Sequence, residues 1–322
     1  MTESVQLFRE LLETELNTEQ QVEHLLQLSP EKLSPKEIVQ CARICMDNAE
    51  LISGISDLAV DIVGTGGDGL NTFNISTTAA FVTAGAGVKV AKNGAGSASS
   101  LSSSLGLLEA LNVDIQQTPE GVKQQLELTG LTFIMQPYFH PKALGLKAAR
   151  KVLAEQSKKT IFNILGPLVN PARISRKALG VFSLELVDVY AEVLCLQGTK
   201  KSMIFHGDGM DELSLAGPNH IVIIHNGEIE KMELSASDTS LSACSLDDLI
   251  GGDAKENADI AEAILKCELM GPKRDSVILN AAAAIFVGYP ENISLFDAIH
   301  LAQESLDSGL ALKSLRSVQK DD

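Results

Sequence analysis

From Leu58 to Gly69 the chain reads Leu-Ala-Val-Asp-Ile-Val-Gly-Thr-Gly-Gly-Asp-Gly. A short apolar run closed by a glycine cluster predicts a buried strand feeding a tight loop. Gly64, Gly66 and Gly69 satisfy the G-x-G-x-x-G spacing, which raises dinucleotide binding as the first reading. Such a site needs a carboxylate roughly 20 residues further on to hold a ribose hydroxyl. None is there, because the stretch from Gly69 to Leu108 contains no Asp or Glu. With 42 acids in 322 residues, about five would be expected in a window of that length.

The excluded acids leave Lys89 and Lys92 among hydroxyls and amides: Asn71, Thr72, Asn74, Ser76, Thr77, Asn93, Ser100 and Ser104. This composition suits a strongly anionic ligand. Glycine turns let backbone N–H groups approach a phosphate, and a helix opening at Ser76-Thr77 adds its dipole. The competing reading is a small-residue segment packed tightly against a sheet.

Outward from this loop, strand-like runs alternate with helical patterns to about residue 300. The clearest are Val88–Ala91, Leu131–Met135, Ser202–Phe205 and His220–Ile224. The alternation predicts an α/β domain with a largely parallel sheet. Residues 226 to 258 read as surface loops or an edge hairpin, and Ser317 to the C-terminus as a frayed tail. Before the loop, residues 1 to about 58 read as all-helical. Leu7, Leu11, Leu12 and Leu16 recur at helical spacing, and Ser34-Pro35-Lys36-Glu37 is a helix-start signal.

A net charge of −16 disfavours nucleic acid or an anionic membrane as partner, since neither would meet a broad cationic surface. With 10 Phe, 3 Tyr and no Trp, aliphatic residues must fill the core. The five cysteines are scattered and lack a CxxC pair, so they read as reduced, mostly buried thiols. The acidic N-terminus is unlike a signal peptide and no run is long enough to span a bilayer, so the expected location is cytoplasmic.

A second segment carries chemistry: His206-Gly-Asp208-Gly-Met-Asp211-Glu212-Leu-Ser214, beyond a strand ending at Phe205. Adjacent carboxylates on a glycine-flanked turn can hold Mg²⁺ together with substrate phosphates. Taken alone, such a turn also reads as solvated surface.

In order along the chain, Gly64–Gly69, Asn71-Thr-Phe-Asn-Ile-Ser-Thr77, Thr160-Ile-Phe-Asn-Ile-Leu-Gly-Pro-Leu-Val-Asn-Pro171 and His206–Ser214 resemble the anthranilate phosphoribosyltransferase family over nearly the whole length. The resemblance implies an α/β fold of the nucleoside phosphorylase/phosphoribosyltransferase type. In it, a small all-helical domain is joined to a large α/β domain with a central, largely parallel sheet. The helical domain would be residues 1–60 with a return segment about 140–168; the α/β domain would be 61–139 and 169–322. It further implies a homodimer and transfer of phosphoribose from 5-phosphoribosyl-1-pyrophosphate to anthranilate. The implied donor residues are Gly64, Gly67, Asp68, Thr72, Asn74, Ser76, Thr77, Lys92, Ser100 and Ser104. Ser76, Asp211 and Glu212 would hold Mg²⁺, and Lys92, Asp211 and Glu212 would act in catalysis.

The acceptor side departs from the family. Where the family reads Lys-His-Gly-Asn-Arg-Ser, this chain has Lys92-Asn93-Gly94-Ala95-Gly96-Ser97. Arg150 matches the arginine that meets the anthranilate carboxylate, with Lys151 in place of a second arginine, and Val152–Lys159 is about three residues longer than is typical. Asn93 and Arg150 are therefore the acceptor candidates. A different nitrogen acceptor, a non-catalytic phosphate-ligand-binding paralogue and a pyrimidine nucleoside phosphorylase are the alternative readings.

Overall fold

A computed structural model describes residues 2–55, 57–94 and 103–320. Among these residues a five-stranded sheet runs in the order β1 (Asp61–Gly64), β4 (Arg176–Gly180), β5 (Lys201–Gly207), β6 (Asn219–His225), β7 (Glu228–Leu234). A parallel pair, β2 (Val90–Gly94) and β3 (Leu131–Met135), extends it through the Val60–Val90 bridge. The strands β3-β2-β1-β4-β5 are parallel, and β6 and β7 add an antiparallel edge. The largely parallel sheet expected from the alternation is present.

Alternation along each strand sorts side chains onto two faces. Ile62, Ala178, Met203 and Phe205 join the core with helices Ile75–Gly85 and Pro272–Gly288. Val63, Leu179, Ile204 and Val222 join the other core, shared with helix Glu185–Gln197 and the N-terminal helices. Ala281 to Ala284 are fully buried, and these short side chains let helix Pro272–Gly288 lie close to Ile75–Gly85.

The N-terminal part consists of helices Glu3–Glu13, Thr18–Gln27 and Pro35–Asp47. Ser34 and Glu37 close a capping box at the third, as that signal predicts. The helical pattern stops at Asp47, short of residue 58, and the described residues from there to β1 form no further helix. Residues Leu146, Ala149, Leu153, Ile161 and Ile164 return to pack with Val5, Phe8 and Leu25 in the same core.

Several expectations require correction. The first strand begins at Asp61, and Leu58 is 42% exposed. β4 has no counterpart among the expected strands, because Arg176-Lys177 opens it and reads as polar. Of the two readings for the segment after residue 226, the edge hairpin is the one present: residues 228–234 are a strand paired with β6 through Asn226-Gly227, both at positive φ as a tight hairpin turn requires. The tail is held as far as Lys320: helix Leu310–Val318 is followed by a Val113–Gln319 bridge and a 2.9 Å bond from Lys320 N to Asn112 O. Of the thiols, Cys41 and Cys45 are buried and the other three are only partly so. Burial pushes Cys41 and Cys45 up to about 12, which keeps both protonated. No described helix is long and apolar enough to cross a membrane.

Candidate active site

The loops that follow the carboxyl ends of β1 and β5 converge beside Lys92 of β2 at one edge of the sheet. The chain winds from β1 to β2 and β3 on one side and resumes at β4 on the other, so the glycine loop sits at the switch point of the topology. Open α/β sheets bind ligands at such points.

Gly66, Gly67 and Gly69 all have positive φ, between 66° and 81°. L side chains are strained there, whereas glycine lets the loop turn tightly. Gly66 N donates to Asp211 Oδ2 at 2.5 Å, which ties the loop to the acidic turn. Two further glycines make room for that acid. A Cβ on Gly64 would fall on the Asp211 carboxylate, and one on Gly180 would fall on the Asp211 backbone carbonyl.

Glu212 accepts from Ser76 N at 3.1 Å, so a carboxylate faces the N-terminus of helix Ile75–Gly85. Ser76 Oγ lies 3.3 Å from Lys92 Nζ, which also donates to Ile62 O. Thr77 Oγ1 donates to Ser104 Oγ at 3.2 Å. Asp68 caps its own turn through Leu70 N, and Asn74 is the N-cap position of the helix. Thr72 bridges to Ile250 beside them. Gly64, Gly67, Asp68, Thr72, Asn74, Ser76, Thr77, Lys92, Ser104, Asp211 and Glu212 thus come together. Ser100 and the Ala95-Gly96-Ser97 stretch lie outside the described residues.

The electrostatics are those of two buried acids beside a buried ammonium. Burial raises Asp211 well above the usual carboxylate range, and Glu212 and Asp68 add repulsion. Burial likewise raises Glu212 to about 7, while Lys92 and Ser76 pull it down. Lys92, only 2% exposed, is lowered by burial and held up by Glu212, Asp61 and Asp211. A divalent cation on the acids and a phosphate on the ammonium would relieve both penalties. Among the described residues no cluster of three or more His, Cys, Asp or Glu forms a metal cage. Mg²⁺ does not need one, since it is commonly held by one or two carboxylates plus substrate phosphates. The two acids and the Ser76 hydroxyl fit that habit.

Sequence reading missed the supports of this site. Asn280 accepts from Leu213 N at 2.8 Å and donates back to Leu213 O at 2.9 Å, fixing the turn beside Glu212. Asn219 accepts from Ser214 N at 2.6 Å. His206, which the sequence already places at the strand end beside the acids, bonds Val181 O through Nδ1 and receives Gly209 N at Nε2, so it shapes the turn. Behind β2, fully buried Asp61 accepts from Asn93 N at 2.8 Å and Asn170 Nδ2 at 2.9 Å, with Lys177 Nζ at 3.6 Å.

Neither acceptor candidate hydrogen-bonds the acid pair among the described residues. Asn93 Nδ2 donates to Gly166 O at 2.8 Å, leaving the buried Oδ1 without a partner among the described residues. Arg150, on helix Lys147–Glu155, stacks its guanidinium 4.9 Å from the Phe162 ring centroid and pairs with none of the described donor residues.

Residues 56–312 match the family model described as a glycosyl transferase family, a/b domain. The chain is 44% identical over 281 residues to an anthranilate phosphoribosyltransferase of Acetivibrio thermocellus, covering 87% of this chain and 80% of that protein. It is 41% identical over 321 residues to the enzyme of that name from Chromobacterium violaceum, covering 98% and 92%. The crystal structure of anthranilate phosphoribosyltransferase from Thermus thermophilus superposes with a TM-score of 0.89 at 38% identity, over 97% of this chain and 92% of that one. The Saccharomyces cerevisiae enzyme in complex with PRPP and Mg superposes with a TM-score of 0.86 at 28% identity, over 98% and 90%.

Proposed function

Because the chain belongs to the anthranilate phosphoribosyltransferase family, we propose that it transfers the phosphoribosyl group of 5-phosphoribosyl-1-pyrophosphate to anthranilate in tryptophan biosynthesis. The observation that carries the reading is the junction of Lys92, Ser76 and Glu212 at the N-terminus of one helix, with Asp211 clasping the glycine loop beside it.

The anthranilate nitrogen attacks ribose C1 with its lone pair, the C1–oxygen bond breaks, and pyrophosphate leaves with that electron pair. The nitrogen then loses a proton to water. No strong base is required of the protein, because the proton becomes acidic as the new bond forms. Most of the acceleration comes from holding the reactants together and stabilising charge on the leaving group. Loop N–H groups and the Lys92 ammonium meet that charge from fixed positions. Ser76, Asp211 and Glu212 would hold Mg²⁺, which when bound neutralises diphosphate oxygens. Gly64, Gly67, Asp68, Thr72, Asn74, Thr77, Ser100 and Ser104 complete the donor side. Asn93 and Arg150 serve the acceptor, with the orphaned Asn93 Oδ1 able to receive an N–H.

The same reading divides the chain into a helical unit, 1–60 with about 140–168, and an α/β unit that together form the cleft and dimerise through the helical part. Five thiols outside any disulfide suit a cytoplasmic enzyme.

The decisive experiment mixes protein, donor, Mg²⁺ and anthranilate and follows loss of anthranilate fluorescence. Turnover is expected, with Asp211→Asn combined with Glu212→Gln reducing it by about a hundredfold or more. Absence of turnover in a protein that binds the donor would overturn anthranilate as the acceptor.

A further inference from the structure

Lys159 lies within the return segment, between helix Lys147–Glu155 and the buried Ile161. Its neighbours are anchored there: Thr160 N donates to Asn163 Oδ1 at 2.8 Å and Ile161 N to Leu28 O at 2.7 Å. Its ammonium nevertheless reaches the sheet side. It donates to Gly67 O at 3.3 Å and stands 3.2 Å from the centroid of the Phe182 ring. Phe182 belongs to the same construction, since its N–H donates to Thr65 Oγ1 at 3.0 Å.

A cation over an aromatic face and against one carbonyl is held in place, unlike a freely moving surface lysine. Gly67 O is its one hydrogen-bond acceptor among the described residues. An ammonium has three donors, so two remain for an incoming anion. Partial desolvation lowers the Lys159 pKa, while Asp68 and Asp211 draw it back up. Asp211 is one of the acids expected to meet Mg²⁺ and Asp68 is one of the donor residues, so the ammonium stands where donor oxygens would arrive.

We propose that Lys159 is a donor-positioning residue, delivered from the helical side of the cleft to bind the diphosphate of the phosphoribosyl donor at the Gly67 end of the loop. It rests on the phosphoribosyl-transfer reading above. Lys92 would act at the Ser76 end, so the diphosphate would lie between cations supplied by different parts of the chain. Donor binding would thereby draw the two sides of the cleft together.

The test is calorimetric binding of pyrophosphate with Mg²⁺, and separately of ribose 5-phosphate, to the wild type, Lys159→Met and Lys159→Arg. Lys159→Met should weaken pyrophosphate about tenfold, the scale of one charged hydrogen bond, and leave ribose 5-phosphate and the melting temperature unchanged. Lys159→Arg should restore most of the affinity. In turnover, KM for the donor should rise while KM for anthranilate stays constant. Unchanged pyrophosphate affinity would overturn the proposal. So would equal losses for both ligands or a lowered melting temperature, which would mark a residue that merely braces the loop. A wild type that binds neither pyrophosphate nor donor would bring down the phosphoribosyl-transfer reading itself. A wild type that binds both, beside an indifferent Lys159→Met, would remove only the role of Lys159.

Discussion

Glu212 shows how one side chain couples protons to metal. Its folded pKa of about 7 lies above the ordinary 4.5, so the metal-free folded state holds a proton that the unfolded chain has released. The stability associated with that proton is present below the unfolded value and is lost as pH rises through about 7. Mg²⁺ must displace the proton, so it competes poorly at low pH. The rise in Tm caused by saturating Mg²⁺ should therefore be small near about pH 5.5 and grow through about pH 7. In Glu212→Gln the increment should be smaller, and what pH dependence remains should come from Asp211. Differential scanning calorimetry across that range checks the slope, and a flat wild-type profile would contradict the argument.

At the scale of elements, β4 does more than fill the sheet. Its last residue, Gly180, lies under the Asp211 backbone, and β4 itself pairs in parallel with both β1 and β5. A methyl group there must displace the acidic turn. Gly180→Ala should cost about 1–3 kcal/mol in urea unfolding and also weaken the Mg²⁺ dependence of turnover. Gly227→Ala, in the β6–β7 hairpin at φ 87° and with open space around it, is the contrasting case. It should cost about 1 kcal/mol through backbone strain and leave turnover unchanged.

Across the whole molecule, the buried Asp61–Lys177 pair joins β1 to β4 beneath the site. Asn170, from the Thr160–Pro171 motif, and the Asn93 backbone complete its hydrogen bonds. Asp61→Asn would keep the shape but leave the buried Lys177 ammonium without its counter-charge. Losses of about 3–5 kcal/mol are usual when one partner of a buried pair is removed. Chemical denaturation should show a loss of that size in Asp61→Asn. Asp61→Asn combined with Lys177→Met should recover part of it, because the orphaned charge is gone.

The sequence by itself determined the strand–loop–helix units, the acid-free window and the acidic turn. These depend on local spacing and on which residue types can approach a phosphate, and both are written along the chain. It also carried Ser34-Pro35 as a helix start, because caps are short-range geometry. Only the tertiary structure decided that Arg176-Lys177 begins a buried strand, since its charge is tolerated through Asp61, more than a hundred residues away. Likewise, Asn280 steadies the acidic turn across 67 residues and Lys159 reaches Gly67 across 92. Such contacts pair groups that no local pattern links. They exist because packing two layers on one sheet brings distant segments to the same edge, where a buried polar atom must find whichever partner the fold presents.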